Sequence, residues 1–206
     1  MPRVGLAHAV ESVARADPAM AAAIERVGTV RWRPGSTDPF GALVRAIVYQ
    51  QLAGAAAGAI HARLVEALNG EVTPASILAA SEGVLLAAGL SRAKAASLVD
   101  LSAKVLDGTA PVHRLARFTD DEIVARLSEV RGIGRWTAEM FHIFELRRLD
   151  VWPVDDLGVR RGWARIHRLE ELPSPRQLQV KGDRFRPYRT AAALVCWRAA
   201  VTTLPA

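Results

Sequence analysis

Leu127-Ser128-Glu129-Val130-Arg131-Gly132-Ile133-Gly134-Arg135-Trp136-Thr137-Ala138 reads as two amphipathic helices joined by a tight Gly-Ile-Gly turn. Glycines at 132 and 134 let the backbone bend sharply and let another molecule approach it closely. Amides opening the helix after Gly134 have no acceptor one turn back, so together with the helix dipole they make a seat for a phosphate. Ile133 is the apolar plug that packs the two helices together. Just upstream, Thr119 and Glu122 have the spacing of a capping box and open the first of these helices, predicted to run through Leu127. The second is predicted to start near Arg135.

Helical punctuation continues in both directions. Asp17-Pro18, Asp38-Pro39, Thr73-Pro74 and Ser174-Pro175 each set a capping residue before a proline suited to a first helical turn. Phe40, Leu43, Val44, Ile47 and Val48 recur with the period of a buried helix face. Residues 75–108 read as two short helices, a turn at Gly89 and a longer helix ending at Gly108. Strand signals are nearly absent. The expected fold is therefore all-α, a two-lobed helical bundle carrying the hairpin, with a cleft between lobes. The central lobe is placed at about 38–130 and the second at about 1–37 plus 131–206.

Composition narrows the function classes. With 206 residues, half of them hydrophobic, the chain can bury a core of its own. Its one cysteine, Cys196, excludes an internal disulfide and a thiolate metal cluster. Charges at Arg3, Glu11, Arg15 and Asp17 interrupt the N-terminal stretch, so neither a signal peptide nor a membrane span is expected, and a cytoplasmic location is. Net charge is +6. All of that excess lies between Arg131 and Arg198, where 14 Lys and Arg face 8 Asp and Glu. A basic third that contains the hairpin points to a polyanion.

The hairpin resembles the helix-hairpin-helix motif, and three further stretches match one family in order. Val151-Trp152-Pro153-Val154-Asp155-Asp156-Leu157-Gly158-Val159-Arg160 resembles the catalytic region of helix-hairpin-helix (HhH-GPD) DNA glycosylases. PFGALVRAIVYQQLAGAAAGAIHARL, residues 39–64, looks like the helix whose Gln-containing end enters the minor groove. RPYRTAAALVCWRA, residues 186–199, looks like the C-terminal helix of the bacterial 3-methyladenine DNA glycosylase II branch. The resemblance spans about residues 15–203 and implies a member without the β-rich N-terminal domain that some bacterial relatives carry.

What the resemblance implies is hydrolysis of the N-glycosidic bond of alkylated purines, 3-methyladenine and 7-methylguanine, in duplex DNA by base flipping. That is the first step of base excision repair. The bond breaks through a sugar of oxocarbenium character, which calls for a fixed negative charge beside the anomeric carbon. Register with the family makes Asp156 that carboxylate, and Asp155 the cap of the following helix or the alternative catalytic group. Trp136 stands where members that also nick the strand carry a lysine, so no lyase step is expected. Trp136, Trp197 and Tyr49 form the expected pocket, electron-rich faces that suit a cationic base. Gln51 or Leu52 would fill the gap left by the extruded base. Gly132, Ile133, Gly134, Arg131, Arg135, Arg92 and Lys94 are the expected phosphate contacts, the last two because Gly89-Leu90-Ser91-Arg92-Ala93-Lys94 looks like the family's other DNA-facing turn.

No cofactor is required, although the resemblance permits a monovalent cation at the hairpin carbonyls. The expected partner is double-stranded DNA containing damaged bases, bound by a monomer associated with the nucleoid. Two alternatives stay open at this point. One is a glycosylase for an oxidised or deaminated base, whose neutral substrate would call for more hydrogen-bond donors. The other is a non-catalytic helix-hairpin-helix DNA-binding protein, which would need the hairpin but no Asp at 156.

Overall fold

A computed structural model describes residues 5–32, 36–52 and 54–202, and among these it contains twelve α-helices and no strand. In chain order they are α1 (Leu6–Ala16), α2 (Pro18–Val27), α3 (Pro39–Tyr49), α4 (Gly54–Ala67), α5 (Pro74–Ala79), α6 (Glu82–Ala87), α7 (Arg92–Leu106), α8 (Asp120–Ser128), α9 (Arg135–Phe144), α10 (Leu157–Ile166), α11 (Pro175–Gly182) and α12 (Arg189–Val201). None of the described helices is long and apolar enough to cross a membrane. The chain divides into two compact units, Ser36–Phe141 and Met1–Gly35 with His142–Ala206. That division falls inside α9, whereas the sequence suggested a boundary at Val130/Arg131, so the whole Gly-Ile-Gly hairpin belongs to the central unit.

In the central unit α3 buries the face its periodicity predicted, with Phe40, Leu43, Val44, Ile47 and Val48 all nearly inaccessible. Capping residues start its helices as the sequence indicated. Asp38 accepts from the Phe40 amide at 3.1 Å, and Thr73 and Thr119 form capping boxes with Ser76 and Glu122. Gly89 and Gly108 take φ of 98° and 85°, left-handed values that end α6 and α7 at little steric cost. The stretch 39–64 is divided. α3 stops at Tyr49, Gln51 takes the left-handed φ of 58°, and α4 begins at Gly54.

The terminal unit is organised by α12, a helix so uniformly apolar and small that eight of its thirteen residues are buried. α10 packs closely on it through Gly162, where an added Cβ would fall on the Cys196 carbonyl. Trp152, Trp163 and Phe185 form the aromatic centre of this core, with ring centroids 6.0 to 6.4 Å apart. Buried Asp17 caps α2 through the Ala19 and Met20 amides and also binds His167 Nε2 and Arg184 Nη1. Burial alone would raise its carboxyl, but the hydrogen bonds from His167 and from the two amides outweigh it and hold the group below the usual carboxylate value. Cys196 is fully buried, which pushes its thiol far up.

Candidate active site and nucleic-acid interface

The hairpin needs its glycines for two different reasons. Gly132 adopts φ 78°, and a Cβ there would come within 2.5 Å of Ser97 Oγ, so backbone conformation and space both demand glycine. Nothing lies within 4 Å of the position a Gly134 Cβ would take, so this residue leaves bare backbone open beside the start of α9. Ile133 between them is 3% exposed, the plug its sequence context predicted.

Protein donors and acceptors set the shape of this turn. Asp100 Oδ2 on α7 accepts from the Arg131 amide at 2.7 Å and from Lys104 Nζ at 2.8 Å, and Lys104 also donates to the Glu129 carbonyl at 2.5 Å. Burial would raise the Asp100 carboxyl, but the Arg131 amide and the Lys104 ammonium hold it below its usual value. Gln50 Nε2 donates to the Gly132 carbonyl at 2.9 Å, and the Ile133 amide bonds the Val130 carbonyl at 3.0 Å.

Lys94, a phosphate contact in the sequence reading, has its ammonium on two protein carbonyls. Its ammonium caps the end of α3, donating to the Val48 and Gln50 carbonyls at 2.7 and 2.8 Å, and burial lowers its pKa. Orphan carbonyls at a helix C-terminus attract a cation, and one turn inward Lys94 meets them. Arg92, Arg131 and Arg135 are exposed, with Arg135 Nε also 2.9 Å from Glu139 Oε1. Gln51 and Leu52 are exposed in the break between α3 and α4. At the start of this break Lys94 holds the Gln50 carbonyl, and the Gln50 side chain bonds the Gly132 carbonyl.

A cavity of about 490 Å³ lies within the central unit, lined by Tyr49, Gln50, Gln51, Gly132, Trp136 and Met140 among others. Trp136 is 43% exposed. Tyr49 has the Arg45 guanidinium 4.2 Å above its ring centroid, so one of its faces already holds a cation.

In the terminal unit the segment before α10 is tied to α12. Arg189 grips both carboxylate oxygens of Asp150 at 2.7 and 3.0 Å, and Thr190 Oγ1 accepts from the Val151 amide and donates to the Arg148 carbonyl. A turn follows, closed by the Asp156 amide on the Pro153 carbonyl at 3.1 Å. That turn carries the chain one residue past Asp155 before the helix starts. Asp156, not Asp155, is therefore the cap of α10, with Oδ1 accepting from the Val159 amide at 2.8 Å, and Asp155 is exposed in the turn. The same Oδ1 accepts from Trp197 Nε1 at 2.7 Å. Trp197 is half-buried on α12 and its ring stacks on Phe144 at 5.6 Å and 28°. Sequence reasoning missed Asp100, Lys104, Gln50 and Arg45. Asp100 and Lys104 had an available signal, an i,i+4 acid–base pair on one face of a helix.

A fixed turn with open backbone at a helix start, beside a buried plug, is the build of a helix-hairpin-helix protein. Residues 44–187 match the family described as HhH-GPD superfamily base excision DNA repair protein. DNA-3-methyladenine glycosylase 1 of Schizosaccharomyces pombe is 37% identical over 164 residues, 78% of this chain and 72% of that protein. Among solved structures, the 3-methyladenine DNA glycosylase of the same yeast in complex with abasic DNA superposes with a TM-score of 0.84, at 33% identity over 92% of this chain and 95% of that one. The DNA-3-methyladenine glycosidase of Bacillus halodurans gives 0.86 at 33% identity, over 94% and 89%. The chain belongs to the HhH-GPD superfamily of base excision DNA repair proteins.

Proposed function

We propose that this protein hydrolyses the N-glycosidic bond of alkylated purines in duplex DNA, as a monofunctional glycosylase of the 3-methyladenine DNA glycosylase II kind. The observation that carries the proposal is the Asp156 carboxylate, fixed by two donors at the start of α10. A fixed anion stabilises an oxocarbenium-like sugar without reorganising as charge develops. Relatives named for 3-methyladenine, one of them solved with abasic DNA, support the substrate class. Because a cationic alkylated purine is already a good leaving group, no general acid and no cofactor enter the chemistry. Exposed Trp136 beside the cavity of the central unit offers an indole face to such a base.

The hairpin amides and Arg131 hold phosphates, and Gln51 or Leu52 fills the vacated stack. With tryptophan at 136 and Lys94 engaged by two carbonyls, neither position supplies an amine for a Schiff base, and the product is an intact abasic site. The test is base release from methylated duplex DNA with products identified by mass. Free 3-methyladenine and 7-methylguanine should appear, with the strand uncut until alkali is added. Preferential release of 8-oxoguanine, or an adduct trapped by borohydride, would overturn the proposal; binding without any release would leave a DNA-binding protein.

A further inference from the structure

We infer that Trp197 is a positioning residue, acting through its indole N–H on the Asp156 carboxylate, rather than a wall for the extruded base. The proposal rests on Asp156 supplying the charge beside the sugar. A carboxylate at an N-cap is pulled onto its own helix by the first-turn amides and the dipole. Asp156 Oδ1 already accepts the Val159 amide. Under that pull alone the group would turn further onto α10 and screen its charge there. The indole N–H reaches the same oxygen at 2.7 Å from α12 and holds the side chain in one orientation.

Three features serve that contact. Gly158 clears the approach, since a Cβ there would lie 2.7 Å from Trp197 Cδ1 and 3.0 Å from both Trp197 Nε1 and Asp156 Oδ1. Phe144 stacks on the indole and sets its plane. Gly162 lets the backbones of α10 and α12 touch at Cys196, the residue before Trp197, so donor and acceptor ride on one close helix pair. The indole N–H is thus taken by Asp156 and one ring face by Phe144.

Trp197→Phe removes the donor and keeps an aromatic ring, while the Val159 amide still satisfies the cap. On a duplex carrying 7-methylguanine, kcat should fall roughly ten- to a hundredfold, the worth of a charge-assisted hydrogen bond, with KM within about twofold of the parent. Gly158→Ala, which displaces the indole without removing it, should reproduce the kcat loss. The contact also has a signature without substrate. Among the five tryptophans, the ¹⁵N indole resonance of Trp197 should respond most strongly to Asp156→Asn. A raised KM with kcat unchanged in Trp197→Phe would make Trp197 a wall and overturn the inference. An indole resonance indifferent to Asp156→Asn would overturn it too, even if Trp197→Phe fails to fold. Should the parent release no base, or Asp156→Asn match it, the proposed function fails instead, and the resonance still decides the contact.

Discussion

Asp156→Asn separates charge from geometry at the proposed active site. Asparagine keeps an oxygen where Oδ1 stands, able to accept both the Val159 amide and the Trp197 indole, and it caps a helix as well as aspartate does. Only the charge goes. Two charge-assisted bonds become neutral ones, each weaker by about 1 kcal/mol, and the favourable dipole interaction of about 0.3–1 kcal/mol is lost. The variant should therefore be less stable by about 2–3 kcal/mol, a fall in Tm of roughly 4–12 °C for a chain of this length. Asp156→Ala also removes the cap and leaves a half-buried indole N–H without its acceptor, so its loss should reach about 3–5 kcal/mol. Excision follows a different order, because both variants lack the anion. Each should slow by at least about a hundredfold. The assay pairs thermal unfolding with single-turnover release of 7-methylguanine. Excision by Asp156→Asn within about threefold of the parent would refute the electrostatic argument. Equal stability of the Asn and Ala variants would refute the capping geometry. Asp155→Ala, at an exposed turn position, should change stability by no more than about 0.5 kcal/mol.

Lys94→Met should destabilise the protein by about 1–3 kcal/mol through loss of two carbonyl bonds, while leaving the salt dependence of duplex affinity unchanged; Arg131→Ala should do the reverse and lower that slope by about one. A smaller slope in Lys94→Met would return that lysine to the phosphates. Gly162→Ala should cost about 3 kcal/mol or prevent folding, since its methyl meets the Cys196 backbone, and soluble yield with Tm reads the outcome. Asp17, whose carboxyl is held below its ordinary value of 3.8, contributes stability that is fully present above that value and is lost as pH falls through the lowered one. Asp17→Asn should accordingly lower Tm at neutral pH and flatten its decline as pH falls below 3.8, followed by circular dichroism.

Local regularities were legible because local interactions decide them. The apolar period of α3, the Thr119–Glu122 box and the plug at Ile133 each depend on residues within two helical turns, and each stands where the sequence indicated. Cap choice at Asp155-Asp156 failed by one residue because both carboxylates can cap. The decision belongs to the Pro153 turn, which delays the start of α10. Lys94 turned inward for a similar reason, since the carbonyls that attract it lie 44 and 46 residues away in the chain. Neither the Gln50 bond to the hairpin nor the Trp197 bond to Asp156 has any sequence periodicity to announce it.

The close crossing of α10 and α12 has a chemical consequence beyond packing. Nucleophilic attack by cysteine requires thiolate, and burying Cys196 in that crossing keeps its sulfur protonated and out of reach. Methylating agents that create 7-methylguanine in DNA also alkylate accessible thiols. A protein whose lone sulfhydryl is sealed this way should survive, with its cysteine unmodified, the same chemical exposure that generates its proposed substrate.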